Sequence, residues 1–300
     1  MAGQLRRCGI LVPLLLMVAL SGCWVGGQGP GAATDREHRQ AQKALDRWAA
    51  AVAAADEQAW FVPVGEMTGQ VGDWEAGVGQ NKEAMYAGMV EAAITLPTET
   101  PPAGEVRWEN GTSHPLDPIS AQQALQELKA AVVQACPECA SLQITATRLT
   151  TAQIQTSRGP ALAPAWEFTI QGTAVRVTRI AIGASDTITV TPPPWDPYDP
   201  PVGLSIESAT GRVGGRELTV GFTGAPRPGA EPCGADYSAE AVESASAVVV
   251  IVTAHPNPFS AACTLVGARR TATVELAEAL DVRIVLEVKQ GLPVPVVMTP

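Results

Sequence analysis

Lysine is scarce, occurring only at Lys43, Lys82, Lys129 and Lys289. With 20 basic against 30 acidic residues the chain carries a formal charge of −10. That deficit argues against nucleic acid as a partner, because phosphate recognition needs a basic surface. It also argues against charge-driven docking onto anionic lipid or phosphate-rich wall polymer, while basic partners stay open. Histidine is equally sparse: His38, His114 and His255 are too far apart to form the close pair of a metal-binding helix. No G-x-S-x-G, H-E-x-x-H or S-x-x-K occurs, and "GVGQNK" ending at Lys82 lacks the spacing and Ser/Thr of a P-loop. No catalytic, cofactor or metal site is therefore legible. After residue 23 no apolar run reaches the ~20 residues needed to span a bilayer.

What is present begins with a short leader. Arg6 and Arg7 precede an uncharged stretch over 8–20 rich in Leu, Val and Met, the n- and h-regions of a signal peptide. The stretch closes on "LSGC", Leu20 to Cys23, which resembles the lipobox of bacterial lipoproteins. That resemblance implies cleavage before Cys23 and attachment of diacylglycerol to its thiol. At ~0.8 kcal/mol per buried CH₂, two acyl chains hold where one is marginal. The following "VGGQGPGAA" over 25–33 is Gly-rich and reads as a flexible tether. The expected address is the outer face of the cytoplasmic membrane. Segment 1–22 contains no acid, so its removal leaves a body that is more acidic still. Asn110-Gly-Thr is a glycosylation sequon in form only.

With 46% hydrophobic and 17% charged residues, the body belongs among folded globular chains, and 300 residues allow one large domain or two modest ones. Ala41, Leu45, Trp48, Val52 and Ala55 recur at helical spacing and predict a helix over 34–56 with an inward stripe. A shorter helix is expected over 82–90. Ser120 with Gln123 forms a capping box that predicts a helix over 121–135. Then "SLQITATRLT", "AQIQTS", "PAWEFTI", "TAVRVTRIAIG" and "TITVTP" read as short strands. The proline-dense "TPPPWDPYDPP" over 191–201 reads as a stiff spacer, with Asp196 and Asp199 solvated in it. Further strands follow in "GLSIESA", "RELTVGFTG", "SASAVVVIVTA", "RRTATVEL" and "VRIVLEVKQG". All seven Trp lie at or before Trp195, so the last third has a core of Val and Ile. The fold class expected is α+β: N-terminal helices packed on an antiparallel sheet over 34–190, a linker over 191–201, and a small all-β, sandwich-like domain over 202–300.

Cys136 and Cys139 form C-P-E-C, open to three readings: a structural disulfide, a redox pair, or half a metal site. The pair follows a predicted helix and precedes a strand, so the helix dipole and Glu138 both disfavour a thiolate. Two further zinc ligands would have to come from Cys233 and Cys263, beyond the linker. In an oxidising compartment the expected pairing is Cys136 with Cys139 and Cys233 with Cys263. "CPECASLQITATRLTTAQIQTSRGPALAPAWEFTI" and "CTLVGARRTATVELAEALDVRIVLEVKQGLPVPV" resemble segments of lipoproteins and secreted proteins of high-GC Gram-positive bacteria. That resemblance implies address and class and carries no activity. The expected function is a binding or assembly module of the envelope, held to the membrane through Cys23, with an unidentified envelope protein or ligand as partner. The alternative is an envelope hydrolase whose residues meet only in the fold.

Overall fold

The computed structural model describes residues 33–74, 80–259 and 262–300. The signal segment and Cys23 lie outside the described residues. In the first half, α1 (Asp35–Ala54), β1 (Thr68–Val71), α2 (Asn81–Tyr86), β2 (Val90–Ala92), β3 (Gly104–Trp108) and β4 (Ser113–Leu116) lead to α3 (Ala121–Ala130). Three longer strands follow: β5 (Leu142–Thr156), β6 (Gly159–Ile170) and β7 (Arg176–Ile180). The second half holds β8 (Ile206–Arg212), β9 (Glu217–Gly224), β10 (Ala235–Glu243), β11 (Ala247–Pro256), β12 (Ala268–Glu275), β13 (Ile284–Glu287) and β14 (Val296–Thr299).

The first sheet is built on the β5–β6 hairpin, paired from Ile144 with Ile170 to Thr156 with Gly159. β2 extends the β5 side, while β7 and β3 share the other edge of β6 and are extended in turn by β1 and β4. β6 changes its buried face midway. Ala161, Ala163 and Ala165 pack with Phe61, Trp108 and Ile182 on one side. Trp166, Phe168 and Ile170 pack on the other side beneath α2 and α3. Because side chains alternate along a strand, odd residues serve the first core and even residues the second. Glu167 therefore falls on the outer face beyond the switch, where Arg148 lies 2.8 Å and Arg176 3.6 Å away. The Arg148 hydrogen bond holds the Glu167 carboxyl below the usual carboxylate range, against the opposing effect of burial.

The second half stacks two sheets, β10-β11-β13 over β12-β9-β8-β14. Val248, Val250 and Val252 meet Leu218, Val220 and Phe222 in the core between them. Ala247, Val249 and Ile251, on the opposite face of β11, are buried by α1 through Ala41, Ala44, Leu45 and Trp48. A strand covered on both faces carries an uninterrupted apolar run, which explains "AVVVIV" at 247–252.

α1 begins on a capping box: the Glu37 amide donates to Thr34 Oγ1 at 3.2 Å, and the Thr34 amide to Glu37 Oε2 at 2.7 Å. Gln40 fastens the helix to its sheet. Its amide nitrogen donates to the carbonyls of Val202 at 3.0 Å and Val288 at 2.8 Å, and its oxygen accepts from the Val202 N–H at 3.0 Å. Gly291, at φ 72°, lets the turn after β13 lie against the helix, since a Cβ there would sit 2.9 Å from Ala44 Cβ.

This architecture corrects the α+β expectation. Among the described residues strands make up 40% and helices 15%, in three sheets, and the N-terminal helix does not pack on the sheet that follows it. Nor are the sheets purely antiparallel, because β2–β5, β11–β13 and β8–β14 pair in parallel. The physical reason is that an amphipathic stripe fixes which face of a helix is buried, while the uncovered face of β11 and β13 decides where.

Candidate peptide-binding groove

β1 is an edge strand. It pairs antiparallel with β7, Thr68 opposite Arg179 and Gln70 opposite Val177. The Ile180 N–H donates to the Met67 carbonyl at 2.9 Å, so the Met67–Ile180 pair is hydrogen-bonded. Antiparallel pairs alternate between hydrogen-bonded and non-hydrogen-bonded. The ladder groups of Gly69 and Val71 therefore point to β7, and those of Thr68 and Gln70 point out of the sheet. Among the described residues no backbone partner meets Thr68 or Gln70 on that side.

Alongside this edge run two joined hollows. One of about 360 Å³ is lined by Gln70, Trp74, Lys82 and Val177, and one of about 130 Å³ by Met67, Leu128, Val133 and Arg179. Glu66, Thr68, Met85 and Tyr86 line both. The floor is β1 and β7, and the walls are α2 and the end of α3. Trp74 is fixed by donating its indole N–H to Gln70 Oε1 at 2.9 Å. Lys82 Nζ sits 5.8 Å from the centre of the Tyr86 ring, within reach of a cation–π contact. Arg179 forms the polar end of the floor. Its guanidinium reaches Glu127 at 3.0 Å, while its buried Nε has no partner among the described residues.

The walls are braced locally. The Val133 N–H donates to the Tyr86 carbonyl at 2.9 Å, joining the segment after α3 to the last turn of α2. Gly88 allows this closeness, because at φ 66° a Cβ there would lie 2.4 Å from the Lys129 carbonyl oxygen. Behind α2, Cys136 and Cys139 are joined as a disulfide, and Cys139 Sγ lies 3.8 Å from the Gln80 carbonyl oxygen at the start of that helix. The C-P-E-C pair thus staples a groove wall. Cys233 and Cys263 are joined separately, in the second half.

Residues that the sequence offered for chemistry stay apart. His38 Nε2 faces Glu240 at 3.4 Å, His114 stacks on Trp60 with ring centres 3.9 Å apart, and His255 Nε2 lies 2.9 Å from Ser238 Oγ. The Ser–His contact joins half-buried side chains of β10 and β11, and Asp236, directly across from His255, instead accepts from the Gly229 N–H at 2.9 Å. Asp199 pairs with Arg36 at 2.5 Å, and Asp196 accepts from the Tyr198 N–H at 2.8 Å. Among the described residues no three His, Cys, Asp or Glu side chains are grouped to hold a metal ion, and no helix is long and apolar enough to cross a membrane. A wider hollow of about 600 Å³ follows the polar face of α3, with Gln122, Gln123 and Gln126 in its lining and no opposing wall. Comparison with protein-family models, curated proteins and solved structures found no match.

The groove itself escaped the sequence. "TGQV" is too short and too polar for a strand signal, and an unpaired edge is a property of sheet order. The nearest cue was the apolar pair Met85 and Tyr86 in the short predicted helix.

Proposed function

We propose that the protein is a lipid-anchored, extracytoplasmic binding module of the bacterial envelope, and that it takes up an extended peptide segment along β1. One observation carries the second part: the outward-facing backbone groups of Thr68 and Gln70 border a groove of mixed polarity walled by α2, with Met85 and Tyr86 beside Glu66 and Lys82. An added strand satisfies those groups without altering the sheet, and its alternate side chains enter the groove beside Met85 and Tyr86. Main-chain bonding supplies affinity and the hollows supply selectivity. The lipobox ending at Cys23 supports the address, as does the resemblance to high-GC Gram-positive lipoproteins.

Thr68→Pro tests the groove, because it deletes an outward N–H and none of the β1–β7 backbone bonds, with Thr68→Ala as the control for the long Arg179 contact to Thr68 Oγ1 at 3.5 Å. A photo-cross-linking amino acid at position 86 captures the partner in intact membranes. The expected result is at least tenfold less capture with Thr68→Pro and a melting temperature within a few degrees of the parent. A synthetic copy of the captured segment should slow amide exchange at Thr68 and Gln70 at least tenfold. Capture that is indifferent to Thr68→Pro in a folded protein refutes strand addition.

A further inference from the structure

We infer that the outer edge of β5, from Thr147 to Gln153, is a second strand-addition site, independent of β1, and that it takes an extended segment of another polypeptide carrying a carboxylate opposite Arg148. β5 pairs with β2 only over Leu142 to Ile144, and with β6 along its other side. Two prolines fix the phase of the β5–β6 ladder. The Pro160 carbonyl accepts from the Glu109 N–H at 3.3 Å and the Pro164 carbonyl from the Ala181 N–H at 2.8 Å, so both residues turn their backbone groups away from β5. Their cross-strand neighbours Gln155 and Thr151 therefore face out of the sheet, and by alternation so do Thr147, Leu149 and Gln153. Among the described residues no backbone group meets Thr147, Leu149, Thr151 or Gln153 on that side.

The chain itself closes the opening at both ends. The Ala93 N–H donates to the Ile144 carbonyl at 3.0 Å, and the Val64 N–H to the Gln155 carbonyl at 2.8 Å. The run left open, "TRLTTAQ", has none of the Pro, Gly or Lys that usually guard an exposed edge, whereas edge strand β4 carries Pro115. Charge selects the occupant. Arg176 of β7 lies 3.6 Å from Glu167 of β6, and Glu167 lies 2.8 Å from Arg148 of β5. This row alternates in sign from strand to strand and stops at the open edge on a cation, with two guanidinium groups to one carboxylate. A carboxylate on an added strand continues it, since opposite charges across strands attract and like charges repel. On the other face Leu149, 40% exposed, offers apolar contact to the neighbouring residue of that strand. A second copy fits poorly: its β5 is 15 residues long and fixed to β6, so antiparallel pairing runs its ends onto β2 and Val64.

The test uses the chain from residue 23 onward with Cys23→Ala, and with Thr68→Pro so that the β1 edge is closed. The probe is a library of random nine-residue peptides displayed on phage. Selected peptides should share one Asp or Glu beside an apolar residue. Their affinity should fall at least tenfold with Thr151→Pro, and again with Gln153→Pro, each of which deletes an outward N–H and none of the β5–β6 backbone bonds. Both variants should melt within a few degrees of the parent. Selection on Arg148→Gln should still yield binders but without the acidic preference. A synthetic copy of a selected peptide should slow amide exchange at Leu149, Thr151 and Gln153 at least tenfold. No binders, binders indifferent to both proline variants, or binders lacking the acid overturn the inference. So does protection of the same amides by self-association as protein concentration rises, which would give the edge to a second copy. Capture at position 86 reads the β1 groove separately.

Discussion

Cys233 and Cys263 are 30 residues apart, whereas Cys136 and Cys139 are three apart. In the chain-entropy picture the longer loop contributes ~3 to 4 kcal/mol and the short one markedly less. Cys263→Ser should therefore lower stability by about that amount in denaturant titrations, and Cys139→Ser by clearly less, with its effect centred on α2. Equal losses would show that the short bridge acts through packing behind Gln80 rather than through the unfolded chain. A buried carboxylate shows the same dependence on surroundings. Burial pushes the Glu243 carboxyl upward, yet the Ala277 N–H at 2.7 Å and the Arg283 guanidinium at 2.6 Å bring it below its ordinary range. That pair pins the loop between β12 and β13.

At the scale of elements, α1 is held by one polar side chain as well as by its apolar stripe. Gln40→Ala would leave the Val202 N–H and the Val288 carbonyl without their partner, a loss of ~1 to 3 kcal/mol for part-buried groups. Hydrogen exchange should quicken at Val202 and along α1 while the β8–β9 ladder stays protected. Unchanged exchange in α1 would mean that the stripe alone docks it. The stripe was legible in the sequence, and so was the Ser120 cap of α3. The docking surface was not, because Leu45 and Trp48 have the same spacing whichever sheet they meet. β5 read as two strands because Thr150 to Ala152 are polar or small, yet the hairpin runs through them unbroken. β10 was missed since its residues are nearly all half-buried, which leaves no alternation to read. β14 is a four-residue strand formed only by parallel pairing with a distant segment.

For the whole molecule, the proline-dense segment is a covalent link between parts that also touch directly. Residues 191–200 are exposed, and Tyr198 is 97% so, while Arg36 of α1 grips Asp199 and the Pro200 carbonyl. Chymotrypsin should nick the chain after Tyr198 and give two bands on a denaturing gel. The halves should nevertheless co-elute in gel filtration, because α1, on the first fragment, covers β11 and β13 on the second. Separation into two independently folded fragments would disprove that the helix contributes binding energy. This same docking sets an order of events during synthesis. The α1 contact to Val288 spans 248 residues, so the first helix made waits for almost the last strand region. At ~5–20 residues per second that interval is roughly 12–50 s. Throughout it the apolar face of α1 has no native cover, and contacts of such long range slow folding further. A chain threaded across a membrane from its N-terminus would therefore arrive unfinished, the docking of its first helix completed only when the region around Val288 emerges.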